Sequence, residues 1–486
     1  MAVSETSGQR AEQEHRDSDQ ELVVVANRLP LEYDPETGWR PAPGGLVTAM
    51  ESVLRDKDAT WIGWSGRYED DRHQDVPPPP TGSGNLHIEE VLLTRAEVAG
   101  YYEGLSNGAI WPLYHDAIVT PIYHRTQFDT YRRVNEKFAR RVAQSAPPGA
   151  LVWVHDYQLQ LLPRMLRQLR PDLRIGFFLH IPFPPAEIFS QFPWRRQILE
   201  GLLGSDLVGF HTKDGAVNFL RLVRKFLALR PGGDRVVVDE LSGTRTVRVD
   251  AFPIGIRTQD FVELANSPEV QDRAREIRAD LGDPKTLMLG VDRLDYTKGI
   301  DVRIRAVTEL LEDGDLDPTE TVFVQVATPS RENVEEYQRI REDVELLVSR
   351  ANGDIGKLGV TPVHYLHQNM PRTELAAMYV AADVMLVTPF RDGMNLVAKE
   401  YVACRVHEDG ALVLSEFTGA ANQMAEAWLV NPYDIDGMKG AILDAATASP
   451  EEAHARMAAL RHGVFEHDVE RWASDFMRDL EGRRGW

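Results

Sequence analysis

Polar and charged side chains directly follow several short apolar segments of this sequence, which is where parallel α/β sheets place their reactive groups. Arg28 follows the run at 22–26, and the pair Gly44 and Gly45 comes soon after it. An arginine at a strand end and glycines that open a helix offer a bidentate cation and backbone N–H groups, which together suit a phosphate. A surface arginine beside an ordinary turn is the alternative.

Two further segments place a carboxylate and a histidine after an apolar run. Asp156 follows the run at 151–154, where its carboxylate can accept a hydrogen bond or a proton from a sugar hydroxyl. A helix N-cap is the alternative role for this residue. His180 follows the run at 174–179 and precedes a proline-rich rigid loop. We expect it to donate a hydrogen bond to a substrate, with a purely structural histidine as the alternative.

The second half of the chain places cations after its first apolar run. Arg293 and Lys298 are five residues apart beyond the run at 286–291. Two cations beside a helix N-terminus can neutralise a diphosphate leaving group without a metal. The segment is not a Walker loop, because Gly-x-x-x-x-Gly-Lys-Ser/Thr is absent. A solvated ion pair with Asp292 or Asp295 is the alternative.

A glycine turn and a glutamate mark the last of these segments. Gly393 predicts a tight turn before a helix whose N-terminal N–H groups can face a diphosphate or a sugar. Glu400 follows seven residues later, about two helical turns, and is expected on the same face, where it can bind a ribose. A Gly-x-Gly-x-x-Gly motif after a strand is missing, which disfavours nicotinamide binding.

The elements that position these residues are predicted to alternate between strands and helices, which indicates parallel sheets with helices on both faces. In the first half we expect strands at 22–26, 60–64, 151–154, 174–179, 207–210 and 247–252, and helices such as 132–143 and 219–229. In the second half we expect strands at 286–291, 321–327, 384–388 and 412–414, and helices such as 301–311 and 372–381. The block at 76–84 is expected to be a surface loop. A pause at 252–256 predicts two doubly wound domains that meet near residue 253.

Composition excludes several classes of protein. The 486 residues carry 54 basic and 75 acidic side chains, a formal net charge of −21, which opposes attraction to nucleic acid or to an anionic membrane. The single cysteine, Cys404, permits no intrachain disulfide and no thiolate-rich metal site, so a cytoplasmic location is expected. We expect no metal and no organic cofactor. Residues 1–21 are polar and are expected to form a disordered tail.

Taken together, these segments resemble one family, the retaining glucosyltransferases that make α,α-trehalose 6-phosphate from a nucleotide-glucose and glucose 6-phosphate. The resemblance covers about residues 22 to 480. The motifs that carry it lie at 26–30, 63–66, 101–102, 106–107, 111–112, 155–157, 177–184, 293–296, 298–299, 330–331 and 391–400.

The resemblance implies a fold and a domain division. The fold would be α/β, with two Rossmann-like doubly wound domains that face each other across a cleft, the GT-B type of glycosyltransferase. The N-terminal domain, residues 22–253, would hold most of the acceptor and would be joined by a C-terminal helix at about 469–486. The second domain, residues 254–468, would hold the donor. A homo-oligomer is also expected.

The resemblance further implies a role for individual residues. Those expected to bind the acceptor, glucose 6-phosphate, are Arg28, Trp64, Tyr102, Trp111, Asp156 and Arg331. Those expected to bind the donor, which could be UDP-, ADP- or GDP-glucose, are Gly45, His180, Arg293, Lys298, Asp392, Gly393, Met394, Asn395, Leu396, Val397 and Glu400. The residues expected to be catalytic are Arg293, Lys298, His180, Asp156 and Asp392. The departing phosphate oxygen would act as the base for the acceptor hydroxyl.

Three other functions were weighed against this one. A glycosidase is disfavoured, because no segment supplies the required pair of catalytic carboxylates. A pseudo-glycosyltransferase that joins a nucleotide-cyclitol to an amino-cyclitol phosphate is the nearest alternative, and Tyr102 and Trp111 favour the trehalose reaction over it. A catalytically silent sensor of glucose 6-phosphate would be expected to have lost site residues, and here all of them are present.

Overall fold

A computed structural model of the chain describes residues 21–42, 58–70, 76–83, 85–240, 243–331, 335–356 and 359–482, together with residues 47, 49, 50 and 54. The expected disordered tail, apart from Glu21, lies outside the described residues, and so does Gly45. The chain divides into two compact units. Unit 1 comprises residues 1–252 and 473–486, and unit 2 comprises residues 253–472.

The strands of unit 1 arise largely from short β-branched and aromatic runs. They are β1 (Leu22–Arg28), β2 (Leu31–Asp34), β3 (Gly38–Pro41), β4 (Ala59–Trp64), β5 (Gly82–Ser83), β6 (Leu86–Glu90), β7 (Leu151–His155), β8 (Arg174–Phe178), β9 (Leu207–Phe210), β10 (Arg235–Glu240) and β11 (Gly243–Ala251). Among the described residues nine of them form one sheet in the order β10-β11-β9-β8-β7-β1-β4-β6-β5, while β2 and β3 pair separately. The central strands are parallel, so their carboxyl ends share one edge.

The helices of unit 1 connect these strands. They are α1 (Arg95–Glu97), α2 (Val98–Ile110), α3 (Trp111–Tyr114), α4 (Arg125–Ser145), α5 (Leu162–Leu169), α6 (Ala186–Phe189), α7 (Arg195–Leu202) and α8 (Lys213–Leu227). The backbone of α2 is wound as a π-helix, a form that occurs frequently at functional sites. A 3₁₀ turn, Tyr157–Leu159, follows β7.

Unit 2 repeats the arrangement with a smaller sheet. Its strands are β12 (Thr286–Arg293), β13 (Thr321–Thr328), β14 (Val363–Leu366), β15 (Val384–Val387), β16 (Ala411–Ser415) and β17 (Trp428–Val430). Within the described part of the chain these form one parallel sheet in the order β14-β13-β12-β15-β16-β17. The order reverses between β12 and β15, and doubly wound sheets bind their ligands at such a point.

The helices of unit 2 pack against this sheet and against one another. They are α9 (Thr258–Asn266), α10 (Pro268–Asp280), α11 (Ile300–Glu312), α12 (Glu335–Ile355), α13 (Arg372–Ala381), α14 (Leu396–Cys404), α15 (Ile435–Thr447) and α16 (Pro450–Glu466). The last helix, α17 (Val469–Leu480), begins in unit 2 and ends in unit 1, where the Phe476 ring stacks on Trp153 at 4.5 Å. Two 3₁₀ turns, Tyr296–Lys298 and Gly419–Asn422, complete the unit.

The structure corrects two local expectations about strands. The sheet of unit 1 is not wholly parallel, because β10 pairs with β11 and β5 pairs with β6 in the antiparallel sense. Residues Gly82–Ser83, expected in a loop, form the short edge strand β5. An edge strand pairs on one side only, so it tolerates the neighbouring prolines that a central strand would not.

The cores of the two units explain why the strand predictions hold. Val23, Val24 and Val25 of β1 are fully buried, and so are Met288 and Phe323 of β12 and β13. Continuous apolar runs are typical of strands buried on both faces. Burying such side chains stabilises each sheet by roughly 1.5–3 kcal/mol per large residue, and this rigid frame fixes where the strand ends lie.

Candidate functional site

Arg28, Trp64 and Tyr102 come together in unit 1. Arg28 is the last residue of β1, and its guanidinium carbon lies 4.7 Å from the centre of the Trp64 ring at the end of the parallel neighbour β4. Tyr102, on α2, interacts electrostatically with Arg28. Gly66 has a φ of +96°, and a Cβ at this position would lie 3.2 Å from Nη2 of Arg28. The glycine therefore leaves room for an exposed cation backed by an aromatic ring.

Trp111 belongs to a second aromatic group of unit 1. Its ring centre lies 4.2 Å from that of His115 and 5.6 Å from that of Tyr157. The Tyr157 hydroxyl donates to Oδ1 of Asn107 at 2.8 Å, which ties the segment after β7 to α2. Trp111 is buried, so its ring is packed among the other aromatic side chains of this group.

Asp156 occupies a strained backbone conformation directly after β7. Its φ and ψ are 74° and 171°, a region that non-glycine residues rarely adopt. Its N–H donates to the carbonyl of Phe178 at 2.8 Å, and its Oδ1 accepts from the backbone N–H of His180 at 3.2 Å. The side chain makes no N-cap hydrogen bond, so the alternative role as a helix cap is wrong. Strain of this kind clusters at functional sites.

Three histidines of unit 1 lie close together. The Nδ1 of His155 and the Nε2 of His180 are 3.1 Å apart, and the His180 and His211 ring centres are 5.5 Å apart. Burial, with His155 and His211 adding to it, lowers the pKa of His180 well below its usual value. Burial also lowers the pKa of His155 to about 3. His180 is therefore a neutral hydrogen-bonding group near pH 7 and not a cation.

In unit 2, Lys298 and Asp392 form an ion pair. The Nζ of Lys298 lies 2.6 Å from Oδ2 of Asp392, and both side chains are mostly buried. The same oxygen accepts from Nδ2 of Asn395 at 3.1 Å. Lys298 follows β12 and Asp392 follows β15, which are adjacent parallel strands. Arg293 lies exposed at the end of β12.

A buried arginine, Arg303, holds the loop that carries Lys298. Arg303 of α11 is fully buried and donates to Asp292 at 2.6 Å, to Gln325 at 2.9 Å and to the Thr388 hydroxyl at 2.9 Å. It also reaches the carbonyl of Lys298 at 3.3 Å. The cation thus connects β12 and β13 with the residue that follows β15.

Asp295 pairs with Arg331 in the same unit. Nη1 of Arg331 lies 3.4 Å from Oδ2 of Asp295, whose side chain is fully buried. Asp292 pairs with Arg303, and Lys298 pairs with Asp392, so Lys298 has a different partner from the one expected. The alternative of a solvated ion pair at this loop is therefore wrong, because both aspartates are buried.

The segment after β15 ends in helix α14. The helix begins at Leu396, and Asn395 caps it by accepting from the N–H of Ala398 at 3.1 Å. Gly393 therefore lies in the turn ahead of the helix, as predicted, and the expectation that it shares a helical face with Glu400 is wrong, because Gly393 is not part of the helix. Met394 is buried, while Leu396 and Val397 are partly exposed in the first turn. That turn has backbone N–H groups without an intrahelical acceptor.

Glu400 lies in the second turn of α14. Its Oε2 accepts from the Tyr379 hydroxyl of α13 at 3.0 Å. Burial raises the pKa of Glu400, although Tyr379 and Arg372 oppose the shift. The tyrosine fixes the orientation of a carboxylate that can accept hydrogen bonds from paired hydroxyls.

The described site residues divide between the two units. Unit 1 contains Arg28, Trp64, Tyr102, Trp111, Asp156 and His180. Unit 2 contains Arg293, Lys298, Arg331, Asp392, Gly393, Met394, Asn395, Leu396, Val397 and Glu400. Sequence reasoning assigned no role to Arg303, Tyr337 or Tyr379, and we find no signal in the spacing that could have identified them, because their partners are distant in the chain.

In the part of the chain that the structure describes, no group of three or more His, Cys, Asp or Glu side chains could hold a metal ion. None of the described helices is both long enough and apolar enough to cross a membrane.

The fold is that of a glycosyltransferase, as comparison with known proteins shows. The profile of Glycosyltransferase family 20 matches residues 20–482, and the chain belongs to this family. It is 54% identical over 472 residues to a protein of Mycolicibacterium gilvum named trehalose-6-phosphate synthase, covering 95% of this chain and 94% of that one. A protein of the same name from Mycobacterium bovis is 52% identical over 475 residues, 96% of this chain and 95% of that one.

Solved structures show the same likeness. The Escherichia coli protein described as trehalose-6-phosphate bound with UDP-2-fluoro glucose is 34% identical, with a TM-score of 0.86 over 95% of this chain and 99% of that one. An α,α-trehalose-phosphate synthase (UDP-forming) from Burkholderia xenovorans, in complex with glucose-6-phosphate, is 35% identical, with a TM-score of 0.86 over 95% of this chain and all of that one. The family resemblance and the GT-B fold class are thereby confirmed.

Proposed function

We propose that this chain transfers glucose from a nucleotide-glucose to glucose 6-phosphate with retention of configuration, and so makes α,α-trehalose 6-phosphate. The observation that carries the proposal is the pairing of Lys298 with Asp392, at 2.6 Å, where two adjacent parallel strands end. This is the switch point of a doubly wound sheet, where ligands bind. Relatives of matching length that share about half of its residues carry the name of this activity.

We assign the donor mainly to the predicted second domain, residues 254–468, which makes up most of unit 2. Arg293 and Lys298 would bind its diphosphate, and Glu400, held by Tyr379, would accept hydrogen bonds from the ribose. The first turn of α14 supplies N–H groups, which suit an anion or a sugar hydroxyl. Asp392, Gly393, Met394, Asn395, Leu396 and Val397 would bind the glucose and the diphosphate, together with Gly45 and His180 of the first half.

We assign the acceptor mainly to the predicted first domain, residues 22–253, which makes up most of unit 1. Arg28, Tyr102 and Arg331 would bind the phosphate, with Trp64 and Trp111 as apolar walls and Asp156 on an acceptor hydroxyl. The grouping of Arg28 with Trp64 and Tyr102 supports this assignment. The strained backbone of Asp156 supports a functional role for its carboxylate.

The chemistry follows from where charge develops. As the bond from glucose to the nucleotide breaks, negative charge grows on the leaving diphosphate, and cations already in place stabilise it. Arg293 and Lys298 would supply that stabilisation. The departing phosphate oxygen would accept the proton of the acceptor hydroxyl, which attacks on the same face. His180, neutral near pH 7, would hydrogen-bond the donor glucose without adding charge.

Three further attributes belong to the proposal. We assign UDP-glucose as the donor, since solved relatives are described as UDP-forming or bound with a UDP-sugar. ADP- and GDP-glucose are the competing donors. We also propose a homo-oligomer. We propose a cytoplasmic location, because the single cysteine, Cys404, is buried and has no second cysteine with which it could form a disulfide.

A panel of donors tests the function and the base together. Purified chain is incubated with glucose 6-phosphate and UDP-, ADP- or GDP-glucose, and the product is separated and weighed by mass spectrometry. The proposal predicts a disaccharide monophosphate, formed fastest from UDP-glucose. If no donor gives such a product, the proposed activity is wrong. Turnover of a cyclitol nucleotide with an amino-cyclitol phosphate alone would favour the pseudo-glycosyltransferase, and binding of glucose 6-phosphate without turnover would favour a sensor.

A further inference from the structure

Asp295 uses both of its carboxylate oxygens within unit 2. Oδ1 accepts from the backbone N–H of Thr297 at 3.0 Å and from its hydroxyl at 2.9 Å. Oδ2 accepts from the Tyr337 hydroxyl at 2.8 Å and from Nη1 of Arg331 at 3.4 Å. The first oxygen therefore holds the turn that carries Lys298, while the second reaches Arg331 in the loop after the neighbouring strand, β13.

Arg331 has a backbone conformation that needs support. Its φ is +49°, in the left-handed region that side chains other than glycine, Asn and Asp seldom adopt. Its Nη1 also donates to the Tyr337 hydroxyl, and its guanidinium carbon lies 5.3 Å from the centre of the Tyr337 ring. The side chain is only 7% exposed. Tyr337, in the first turn of α12, thus contacts the guanidinium with both its hydroxyl and its ring.

The pKa shifts of Asp295 and Tyr337 agree with a hydrogen bond in which the tyrosine is the donor and the carboxylate is the acceptor. Burial raises the pKa of Asp295, but Arg331 and Arg293 outweigh it and hold this pKa below its usual value. Burial and the charge of Asp295 raise the pKa of Tyr337. The tyrosine therefore stays protonated, donating to the carboxylate while it accepts from the guanidinium. Hydrogen bonds that involve charged groups are the stronger ones.

We propose that Tyr337 and Asp295 are positioning residues that hold the Arg331 guanidinium in the orientation that binds the phosphate of glucose 6-phosphate. The inference rests on the proposed function. Neither residue is assigned a contact with substrate, and both act through Arg331. Asp295 also holds the turn that carries Lys298. One buried carboxylate therefore fixes the position of Arg331, assigned to the acceptor, relative to that of Lys298, assigned to the donor.

Tyr337→Phe tests the role of the hydroxyl. The variant keeps the ring that packs against Tyr296 at 5.5 Å and against Arg331. We expect the Kd of glucose 6-phosphate, measured by calorimetry without a donor, to rise about tenfold, the effect of one charge-assisted hydrogen bond. The Kd of UDP should change by less than about twofold, because Lys298 retains its own partner. In turnover, KM for glucose 6-phosphate should rise with little change in kcat.

Two comparisons separate positioning from general damage. Tyr401→Phe is the matched control, since Tyr401 is another buried tyrosine of unit 2 whose hydroxyl donates to the Asp383 carbonyl at 3.3 Å. It should leave both Kd values unchanged. In an Arg331→Ala background, Tyr337→Phe should add no further loss of affinity for glucose 6-phosphate, because the two residues act as a unit.

The outcomes distinguish this inference from the proposed function. An unchanged Kd for glucose 6-phosphate in Tyr337→Phe overturns the positioning role, and so does an equal loss in the Arg331→Ala background. An equal rise in the Kd of UDP would show that the tyrosine only maintains the fold, which also overturns it. The binding measurements need no turnover, so a failure of the proposed activity would be seen separately in the donor panel.

Discussion

Lys298 and Asp392 are 94 positions apart in the chain, yet the lysine Nζ lies 2.6 Å from Oδ2 of the aspartate. The pair is mostly buried, so the carboxylate keeps the lysine oriented at the carboxyl end of β12. Asn395 donates to the same carboxylate oxygen at 3.1 Å, so a donor diphosphate would meet a lysine that is already oriented. The lysine is therefore preorganised, which is how electrostatic catalysts stabilise developing charge.

Loss of the lysine should slow the chemical step. We expect Lys298→Ala, and equally Arg293→Ala, to lower kcat by about 100-fold or more, the cost of removing one preorganised donor to a developing anion. Steady-state rates with saturating donor and acceptor measure this. Lys285→Ala is the control, because Lys285 is 78% exposed in a surface ion pair and such pairs contribute little. Rates close to the unmodified enzyme in both site variants would contradict the leaving-group role.

Loss of the unit 1 arginine should instead weaken acceptor binding. Arg28 is assigned to a phosphate remote from the bond being formed, so Arg28→Ala should raise KM for glucose 6-phosphate by about 10- to 100-fold with a smaller effect on kcat. Initial rates across a range of acceptor concentrations separate the two parameters. Arg275→Ala is the matched control, since Arg275 is 76% exposed on α10. A fall in kcat with an unchanged KM would assign Arg28 to the chemical step instead.

Loss of the Tyr379 hydroxyl, which orients Glu400, should weaken binding of the donor and leave binding of the acceptor unchanged. Tyr379→Phe removes the hydroxyl that donates to Glu400 at 3.0 Å, and we expect the KM for the nucleotide-glucose to rise about three- to tenfold, the loss of one hydrogen bond. Kinetics with varied donor and saturating glucose 6-phosphate test it. Tyr401→Phe serves again as the control. The expectation fails if the acceptor KM rises by the same factor.

A buried lysine predicts how stability depends on pH. Burial lowers the pKa of Lys399 from 10.5 to about 7, although its Nζ donates to the Ile254 carbonyl and to Gln423, each at 2.7 Å. Between these two pKa values the unfolded chain binds a proton that the folded chain does not. The free energy of unfolding should therefore rise with pH from about 7 to about 10, by up to about 1.4 kcal/mol per unit.

Urea unfolding at pH 7, 8 and 9 measures this slope, followed by tryptophan fluorescence. Lys399→Met keeps a side chain of similar length without the titrating group, so its stability should rise less steeply with pH than that of the unmodified chain. Identical slopes in the two proteins would show that Lys399 is not the cause.

The central strands of both sheets were predictable because they are continuous apolar runs. The strand Leu207–Phe210 has the predicted bounds, since its four residues are all apolar and buried. The helix Arg372–Ala381 also has the predicted bounds, since its buried residues recur at helical spacing. Strands at or near the sheet edges were missed, namely Gly82–Ser83, Leu86–Glu90, Arg235–Glu240, Val363–Leu366 and Trp428–Val430. Arg235–Glu240, for example, lies at the sheet edge and is only partly buried, so its sequence lacks the apolar continuity of a central strand.

The sequence predicted the site residues that belong to local motifs, but not the residues that contact them from distant parts of the chain. Arg293, Lys298 and Gly393 stand beside strand ends that the apolar pattern reveals. The contact of Asp295 with Tyr337 joins residues 42 positions apart, and that of Arg303 with Thr388 joins residues 85 positions apart. Spacing carries no information about such contacts, because they depend on how strands are ordered in the sheet. The residues that orient the site therefore emerge only from the fold.

The central claim is tested most directly by the stereochemistry of the product. The chain is incubated with UDP-glucose and glucose 6-phosphate, and the anomeric protons of the purified disaccharide phosphate are recorded by proton NMR, with Lys298→Ala as the inactive comparison. The account predicts two α-anomeric signals, those of α,α-trehalose 6-phosphate, and a strongly reduced yield from the variant. A β-anomeric signal at the transferred glucose, or no disaccharide phosphate at all, would contradict it.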